Sequence, residues 1–250
     1  MSITSPQELE GLQAAGAVVR RVLQALKSCV RPGITTGELD AVGALVMREQ
    51  GARSAPAMVY GFPGTNLISV NDEAVHGIPG DRILEEGDLV KLDVTLEKDG
   101  FMADAAETVA VGHASDEALR LIAGAERAFA RAMLVARQGF RVFEIGRAVE
   151  REVRRDGFFV IRELVGHGIG RTIHEDPRVP NFPDPSAKQT LTAGLVITVE
   201  PIIAAGTGDA VLGSDGWTVR TGDGSSSAHY EHTIVITREK PILLTAAWNR

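Results

Sequence analysis

Two aspartates, Asp93 and Asp104, lie on the two arms of a predicted β-hairpin. Residues 89–97 are rich in apolar and β-branched side chains, and Lys98-Asp99-Gly100 follows as a turn, because Asp-Gly readily adopts the positive φ that a tight hairpin needs. Counting back from this turn places the two carboxylates at or near cross-strand contact. Two like charges there repel. A shared proton, a basic partner or a cation would offset the repulsion; alternatively, both side chains point to solvent.

Three further residues have side chains that suit the same chemistry. His167 lies between glycines in Gly166-His-Gly-Ile-Gly170, where the missing side chains allow close approach of a ligand or of backbone. Glu200 ends an apolar strand before Pro201, and Glu231 begins another strand. Four carboxylates and one imidazole carry too much negative charge for a single structural zinc, and two divalent cations would balance them. Such a pair activates a water molecule and polarises a carbonyl.

The elements that must position these residues occur as two similar halves. Val30-Arg-Pro-Gly33 is followed by Glu38-Leu39, and 106 residues later Ala136-Arg-Gln-Gly139 is followed by Glu144-Ile145. Each motif lies among predicted helices: one opens at Ser5-Pro6, one has a capping box at 35–38, and two cover 116–138 and 142–156. Strands are predicted at 67–71, 74–78, 158–162, 191–200, 216–221 and 230–237, and residues 55–63 as a loop. The repeat predicts two helix–helix–strand halves related by a rough twofold axis, although so short a repeat can arise by chance.

The twofold relation pairs Asp93 with Glu200 and Asp104 with Glu231. Glu200 and Glu231 are 31 residues apart, whereas Asp93 and Asp104 are 11 apart, and the Gly-rich segment 204–227 can hold the additional residues. Because the candidate ligands come from both halves, we expect one catalytic domain over 1–250. Its fold class is α+β, with helices covering one face of curved antiparallel sheets.

Composition excludes several other classes of protein. The 250 residues carry a net charge of −7, which argues against nucleic-acid binding. A single cysteine, Cys29, forbids an intrachain disulfide and suits a reducing compartment. The start of the chain lacks a signal-peptide pattern, and no apolar run reaches membrane-spanning length, so we expect a cytoplasmic protein.

As an ordered set, the motifs resemble those of the type I methionine aminopeptidases, and the resemblance covers nearly the whole chain. The blocks that carry it are Asn71-Asp-Glu-Ala-Val-His76-Gly-Ile-Pro79, Leu92-Asp93-Val-Thr95, Phe101-Met-Ala-Asp104, Gly166-His167-Gly-Ile-Gly-Arg171, His174-Glu-Asp-Pro177, Val199-Glu200-Pro201, Asp215-Gly-Trp217-Thr218 and Tyr230-Glu231-His-Thr233. The resemblance implies a pita-bread fold and metal-dependent removal of N-terminal methionine from proteins and peptides with a small second residue.

The resemblance also implies roles for single residues. Asp93 would chelate one metal ion, Asp104 and Glu231 would bridge two ions, and His167 and Glu200 would hold the second. The ions would be cobalt, manganese, iron or zinc, with a bridging hydroxide as the nucleophile, and Glu200 would move protons to and from it. His76 and His174 would hydrogen-bond the scissile amide and the tetrahedral intermediate.

The methionine pocket departs from the family pattern. Counting from His76 places Pro56, Val59, Phe62 and Leu67 at four pocket positions. The family usually carries a cysteine, two tyrosines and a second cysteine there. Ile173 replaces a phenylalanine, and Trp217 is kept. The wall stays apolar, as a thioether side chain requires, but has fewer aromatic edges. Of the remaining histidines, His229 and His232 have no matching catalytic role, and His232 fits a packed strand residue.

Two alternative functions stay open. An X-Pro peptidase of the same fold would usually carry an additional N-terminal domain, whereas only 92 residues precede Asp93. A non-catalytic binding module of this fold would typically have lost metal ligands, whereas all five positions are filled. The partners implied by the resemblance are the N-termini of nascent proteins and peptides, and the ribosome. We expect a monomer with no nucleic-acid specificity and no membrane association.

Overall fold

A computed structural model of the chain describes residues 1–246, so the last four residues of the predicted 1–250 domain lie outside the described part. The described helices are α1 (Pro6–Cys29), α2 (Thr36–Glu49), α3 (Ala55–Tyr60), α4 (Asp116–Met133) and α5 (Val142–Arg155). The described strands are β1 (Arg53–Ser54), β2 (Leu67–Val70), β3 (Glu73–Val75), β4 (Leu89–Lys98), β5 (Phe101–Ala110), β6 (Phe159–Val160), β7 (Gly166–Gly168), β8 (Glu175–Val179), β9 (Val196–Val199), β10 (Ile202–Ala204), β11 (Ala210–Leu212), β12 (Val219–Thr221), β13 (Ser227–His229), β14 (Glu231–Val235) and β15 (Ile242–Leu243).

One large antiparallel sheet runs through the middle of the molecule. Its strand order is β1-β4-β5-β14-β9-β7-β8, with β2 added to β4 and β15 added to β14. The hairpin β4–β5 and the pair β14–β9 meet where β5 pairs with β14, so the order of strands on one side of this contact mirrors the order on the other. Two small sheets, β13-β10-β6 and β11-β12-β3, are built largely from the second half.

Each half of the large sheet is covered by its own pair of helices. Apolar side chains of α1 and α2, such as Val22 and Leu39, pack with Leu92 of β4 in one core cluster. Side chains of α4 and α5, such as Phe129 and Val149, pack with β9 and β14 in another. Residues of β4 that alternate with Leu92 therefore face away from the helices. The predicted arrangement of helices on one face of a sheet is confirmed, as are the two helix–helix–strand halves.

Helix boundaries follow local chemistry with three differences from the sequence prediction. The capping box at Thr35 and Glu38 is present. At Ser5 only half of the box forms, because the Glu8 carboxylate accepts from the Thr4 N–H rather than from Ser5. The predicted loop 55–63 contains the short helix α3, which the Ser54 side chain caps, and α4 ends at Met133 rather than at 138.

None of the helices in the described part of the chain combines the length and the apolar content needed to cross a bilayer.

Candidate metal centre

The β4–β5 hairpin places its two aspartates on one face of the sheet. The turn has positive φ at Asp99 (51°) and Gly100 (83°), as the Asp-Gly signal predicts. The register pairs Asp93 with Ala106 and Thr95 with Asp104, so the two carboxylates are diagonal rather than direct neighbours. Both are buried, at 9% and 6% exposure. The prediction that they lie at or near cross-strand contact is confirmed, and the alternative that both point to solvent is excluded.

The second half brings two glutamates to the same face. Glu231 opens β14 opposite Ala106, which makes it a diagonal neighbour of Asp104 across the contact between the halves. The Thr233 hydroxyl fixes this register, because it accepts the Asp104 N–H and donates to the Asp104 carbonyl oxygen, each at 2.8 Å. Glu200 follows the last residue of β9, and both glutamates are buried.

His167 is held in one orientation and one tautomer. Its Nδ1 lies 2.9 Å from the Gly168 carbonyl oxygen, which can only accept, so Nδ1 carries the proton and Nε2 keeps the lone pair. Nε2 lies 3.6 Å from Glu200 Oε1. The Thr198 hydroxyl accepts a hydrogen bond from the backbone N–H of His167 at 3.0 Å and donates one to Glu200 Oε1 at 2.7 Å, so one side chain orients both residues.

The electrostatics of the cluster call for a cation. Burial raises the pKa of Glu200 to about 8 and that of Asp104 to about 6. Burial, reinforced by the neighbouring carboxylates, raises the pKa values of Asp93 and Glu231 well above their usual range. Among the described residues, no lysine or arginine forms an ion pair with any of the four, whose only ion-pair partners are histidines.

The unpaired atoms of the cluster fit divalent ions. Asp93 Oδ1, Asp104 Oδ1 and Glu231 Oε1 are buried and accept no hydrogen bond from the described residues. Ligand atoms of Asp104, His167 and Glu231 lie within 4.8 Å of one another, and so do those of Asp93, His229 and Glu231. Glu231 belongs to both groups, as expected of a residue between two ions. Hard oxygen donors with one imidazole suit manganese, iron, cobalt or zinc.

The cluster lies at the bottom of a cavity with a volume of about 580 Å³. One wall of this cavity is apolar and comprises Pro56, Phe62, Leu67, Ile173 and Trp217. Phe62 and Trp217 make an edge-to-face contact with ring centroids 5.3 Å apart. The cavity therefore combines a charged floor with a side pocket for an apolar group.

Comparison with known proteins agrees with this geometry. Residues 10–238 match the model of metallopeptidase family M24. The chain belongs to family M24. It is 44% identical to methionine aminopeptidase 2 of Bacillus subtilis, with 98% of this chain and 99% of that protein covered. It is 38% identical to the methionine aminopeptidase of Escherichia coli K12, over 98% and 94% of the two chains.

Solved structures of family M24 have the same fold. The crystal structure of methionine aminopeptidase from Thermotoga maritima superposes with a TM-score of 0.95 at 33% identity and covers 99% of this chain and 100% of that one. The prolidase of Pyrococcus furiosus superposes with a TM-score of 0.79 at 22% identity, and 66% of its chain is covered. This second likeness shows the fold alone. The predicted pita-bread fold and the predicted family are confirmed.

Two further histidines of this M24 chain line the cavity. His76 follows β3 in a left-handed conformation (φ 59°), and burial, with His174 nearby, lowers its pKa to about 4. His174 precedes β8; its Nδ1 lies 2.5 Å from the Tyr60 hydroxyl, and its ring contacts that of His167 edge-on, with centroids 4.2 Å apart. Burial also lowers the pKa of His174. Both rings are therefore neutral at physiological pH.

The structure changes one expectation about the pocket. Val59 lies outside the cavity lining in the described part of the chain, and 40% of its surface is exposed. In the short helix α3, Pro56 and Tyr60 both line the cavity, whereas Val59 is turned by about 100° from the adjacent Tyr60. The register from His76 placed Val59 in the pocket, whereas Tyr60 is the residue of this pair that lines the cavity.

The two histidines that flank Glu231 lie on opposite faces of the sheet. His232 is packed as expected: Nδ1 lies 2.8 Å from Thr245 Oγ1, Nε2 lies 3.2 Å from the Tyr230 hydroxyl, and its ring contacts Phe129. His229 instead lines the cavity, and burial lowers its pKa to about 3. The sequence prediction assigned His229 no role. Strand alternation nevertheless places it on the same face as Glu231, because the two residues are two positions apart.

Proposed function

We propose that this M24 chain is a methionine aminopeptidase that uses divalent metal ions to remove the N-terminal methionine from proteins and peptides whose second residue is small. The observation that carries this proposal is the buried cluster of four carboxylates and His167 at the floor of a cavity with an apolar wall. The near-complete coverage of relatives named methionine aminopeptidase supports it. The preference for a small second residue follows from the family likeness.

The metal centre of the proposal holds two cations. Asp93 would chelate one, His167 and Glu200 would hold the other, and Asp104 and Glu231 would lie between them. When bound, such a pair lowers the pKa of a water molecule and polarises the scissile carbonyl. The identity of the ions falls among cobalt, manganese, iron and zinc, because the donors are carboxylate oxygens and imidazole.

Glu200 is the proposed proton carrier. Thr198 holds its Oε1 by a hydrogen bond of 2.7 Å, which fixes the plane of the carboxyl group. Burial raises its pKa to about 8, whereas bound cations would lower it. A carboxyl group subject to these opposed influences accepts and releases a proton near neutral pH, as a general acid–base requires.

His76 and His174 are the proposed donors to the substrate. Both rings are neutral, so each offers one N–H and one lone pair. The Tyr60 hydroxyl fixes the orientation of the His174 ring. From the cavity wall, these N–H groups can donate to the scissile amide and to the oxygen on which negative charge develops, and such placed donors contribute a large share of catalysis.

The apolar wall is the proposed seat of the methionine side chain. An unbranched thioether packs well against mixed aliphatic and aromatic groups, such as Leu67, Ile173 and Trp217. The macromolecular partners in this proposal are the N-termini of nascent proteins and peptides, with the ribosome as their source. The proposal includes a monomeric enzyme in the cytoplasm with a single catalytic domain.

A peptidase assay with defined metal ions tests the proposal. The protein is stripped with a chelator and then given cobalt, manganese or iron with Met-Ala-Ser and Met-Gly-Met peptides. We expect free methionine to be released only after metal is added. Equal activity with chelator and with metal, or no activity with any ion, would contradict the proposed function.

The same assay separates the alternatives. An X-Pro peptidase would cleave Ala-Pro and Leu-Pro substrates instead of Met-Ala peptides, and a non-catalytic module would cleave neither. The likeness to prolidases rests on the fold alone, at 22% identity, and offers no specific support for that activity. We therefore expect Met-Ala peptides to be cleaved and Ala-Pro and Leu-Pro to remain intact.

A further inference from the structure

His229 is a buried histidine in the cavity that makes no hydrogen bond through its ring. Only 2% of the residue is exposed, and neither Nδ1 nor Nε2 has a hydrogen-bond partner among the described residues. A buried polar group without a partner carries its full desolvation penalty, so such a group calls for an explanation. The ring lies beside Glu231, with Nε2 3.3 Å from Oε2.

The backbone around His229 is fixed, so the ring is aimed at the cluster by the sheet itself. His229 ends β13, which pairs with β10 through Ile202. The Thr108 hydroxyl accepts a hydrogen bond from the backbone N–H of His229 and donates one to the His229 carbonyl oxygen, each at 2.8 Å. Strand alternation then places His229 on the face of Glu231, whereas Tyr230 and His232 lie on the opposite face.

The distances around His229 fit a shared cation better than a hydrogen bond. Two ligand atoms bound at about 2.1 Å to one ion, at angles near 90–110°, are about 3.0–3.4 Å apart. The 3.3 Å between His229 Nε2 and Glu231 Oε2 lies in this range. A ligand atom of Asp93 also lies within 4.8 Å of those of His229 and Glu231. On the other side of Glu231, His167 has the same relation to Asp104.

We propose that His229 is a sixth protein ligand of the metal centre and binds the cation that Asp93 chelates. This inference rests on the metal centre of the proposed function and adds to it. Each of the two ions then receives one imidazole, His167 on one side and His229 on the other. An imidazole at the Asp93 position favours cobalt, iron, nickel or zinc over manganese and magnesium, which prefer all-oxygen ligation.

X-ray absorption of the cobalt-loaded, full-length protein tests the proposal on the unaltered chain. With two cobalt ions bound, outer-shell imidazole scattering corresponds to one histidine per cobalt if both His167 and His229 are ligands. It corresponds to one histidine per two cobalt ions if only His167 is a ligand, and this result would overturn the proposal. The proposed peptidase function would be unaffected by that result.

A substitution pair tests the same point through affinity. Cobalt and manganese are titrated calorimetrically into chelator-stripped His229→Gln and into the control His232→Gln, whose ring packs on the opposite face. We expect His229→Gln to weaken one of the two cobalt-binding steps about 10- to 100-fold, with a smaller change for manganese. His232→Gln should bind both ions as the unaltered chain does.

The outcomes separate this inference from the proposed function. Two cobalt ions bound by His229→Gln with unchanged affinity would overturn the role of His229 and leave the peptidase proposal standing. Failure of the unaltered protein to bind any ion would overturn both. Circular dichroism of the metal-free variants shows whether they fold. If His229→Gln does not fold, the X-ray absorption result on the unaltered chain decides whether His229 is a ligand.

Discussion

The two halves of the sheet contribute equal charge to the cavity but unequal chemistry. The first half supplies Asp93 and Asp104 from one continuous hairpin, closed by a tight turn. The second half supplies Glu200 and Glu231 from β9 and β14, and the chain between them forms four additional strands, β10 to β13. The twofold frame thus places four carboxylates, and the departure from symmetry adds further cavity residues from one side.

The inserted segment carries residues that reach the cavity. Trp217 lies just before β12 and reaches the apolar wall, where it contacts Phe62 from the first half. His229 ends β13 and reaches the carboxylate cluster. The four carboxylates thus follow from the repeated frame, whereas the inserted segment adds an aromatic residue of the apolar wall and a candidate metal ligand.

The largest expected effect tests whether the two halves are equivalent at the metal ions. Asp104→Asn and Glu231→Gln each remove one of the twofold-related carboxylates proposed to lie between both cations. We expect kcat/KM for Met-Ala-Ser to fall about 10³-fold in each, equal to about 4 kcal/mol of lost transition-state stabilisation. The measurement is steady-state kinetics at saturating cobalt, with circular dichroism as the control for folding. A tenfold or smaller loss in only one variant would break the equivalence.

A smaller effect tests whether the inserted segment governs selectivity alone. Trp217→Ala removes the aromatic part of the apolar wall, so we expect KM for methionyl peptides to rise about tenfold, within the 1–3 kcal/mol that such a pocket contact contributes. Metal affinity, measured by calorimetry, should not change. Trp217→Phe keeps an aromatic ring against Phe62 and serves as the matched control. A large loss of metal binding in Trp217→Ala would show that the segment also supports the charged floor.

The pH dependence of metal-free stability sharpens the comparison of the four carboxylates. Asp93, Glu200 and Glu231 have folded pKa values raised above their unfolded values, so their contribution is present below the unfolded pKa and is lost as pH rises through the folded pKa. For Glu200 that loss extends to about pH 8. Burial lowers the pKa of Lys91 to about 7, which opposes the trend by one proton.

From these signs we expect the melting temperature of the chelator-treated protein to fall by several degrees between pH 6.5 and 8. The buried histidines oppose this fall near pH 6.5, because their unfolded forms are then about half protonated whereas their lowered folded pKa values leave them neutral, and this opposition fades toward pH 8. Differential scanning calorimetry measures the effect. Glu200→Gln should flatten the slope, and a rise in melting temperature over the same window would contradict the assigned pKa shifts.

The smallest expected effect concerns the first half of the pocket. Val59→Ala should leave kcat/KM within about twofold, because a surface substitution away from special features costs little. Tyr60→Phe removes the hydroxyl that holds His174, so we expect a loss of about 3- to 10-fold, the value of one hydrogen bond. Peptide kinetics on the two variants decide between them. A larger loss in Val59→Ala would restore the pocket position first expected for it.

Local signals in the sequence predicted the frame well. The Asp-Gly turn fixed the register of the hairpin and hence the approach of Asp93 to Asp104, because positive φ is confined to few residues. The box at Thr35 and Glu38 marked the start of α2 because both partners lie three residues apart. The repeat spacing predicted that Glu200 and Glu231 occupy positions equivalent to Asp93 and Asp104 across a twofold axis.

Features that depend on distant contacts were beyond local reasoning. Strand alternation alone places His229 on the face of Glu231, but the approach of its ring to Asp93 depends on the break between β13 and β14, which is set by pairing with β10 on one side and β5 on the other. The length of α3 is set by the Ser54 cap and by Gly61 in the left-handed conformation (φ 71°). The helix is too short for its periodicity to be visible in the sequence. This helix decided the outcome for Val59 and Tyr60.

The two halves of the large sheet meet along one line, where Glu231 and His232 pair with Ala106 and Ala105. The proposed cations lie across this line, because their ligands come from both sides. Metal ions would then act as a clasp, and backbone amides of β5 and β14 should exchange their hydrogens with deuterated solvent more slowly in the loaded protein. Without the ions, the pairing between β5 and β14 should open before the strand pairing within either half does.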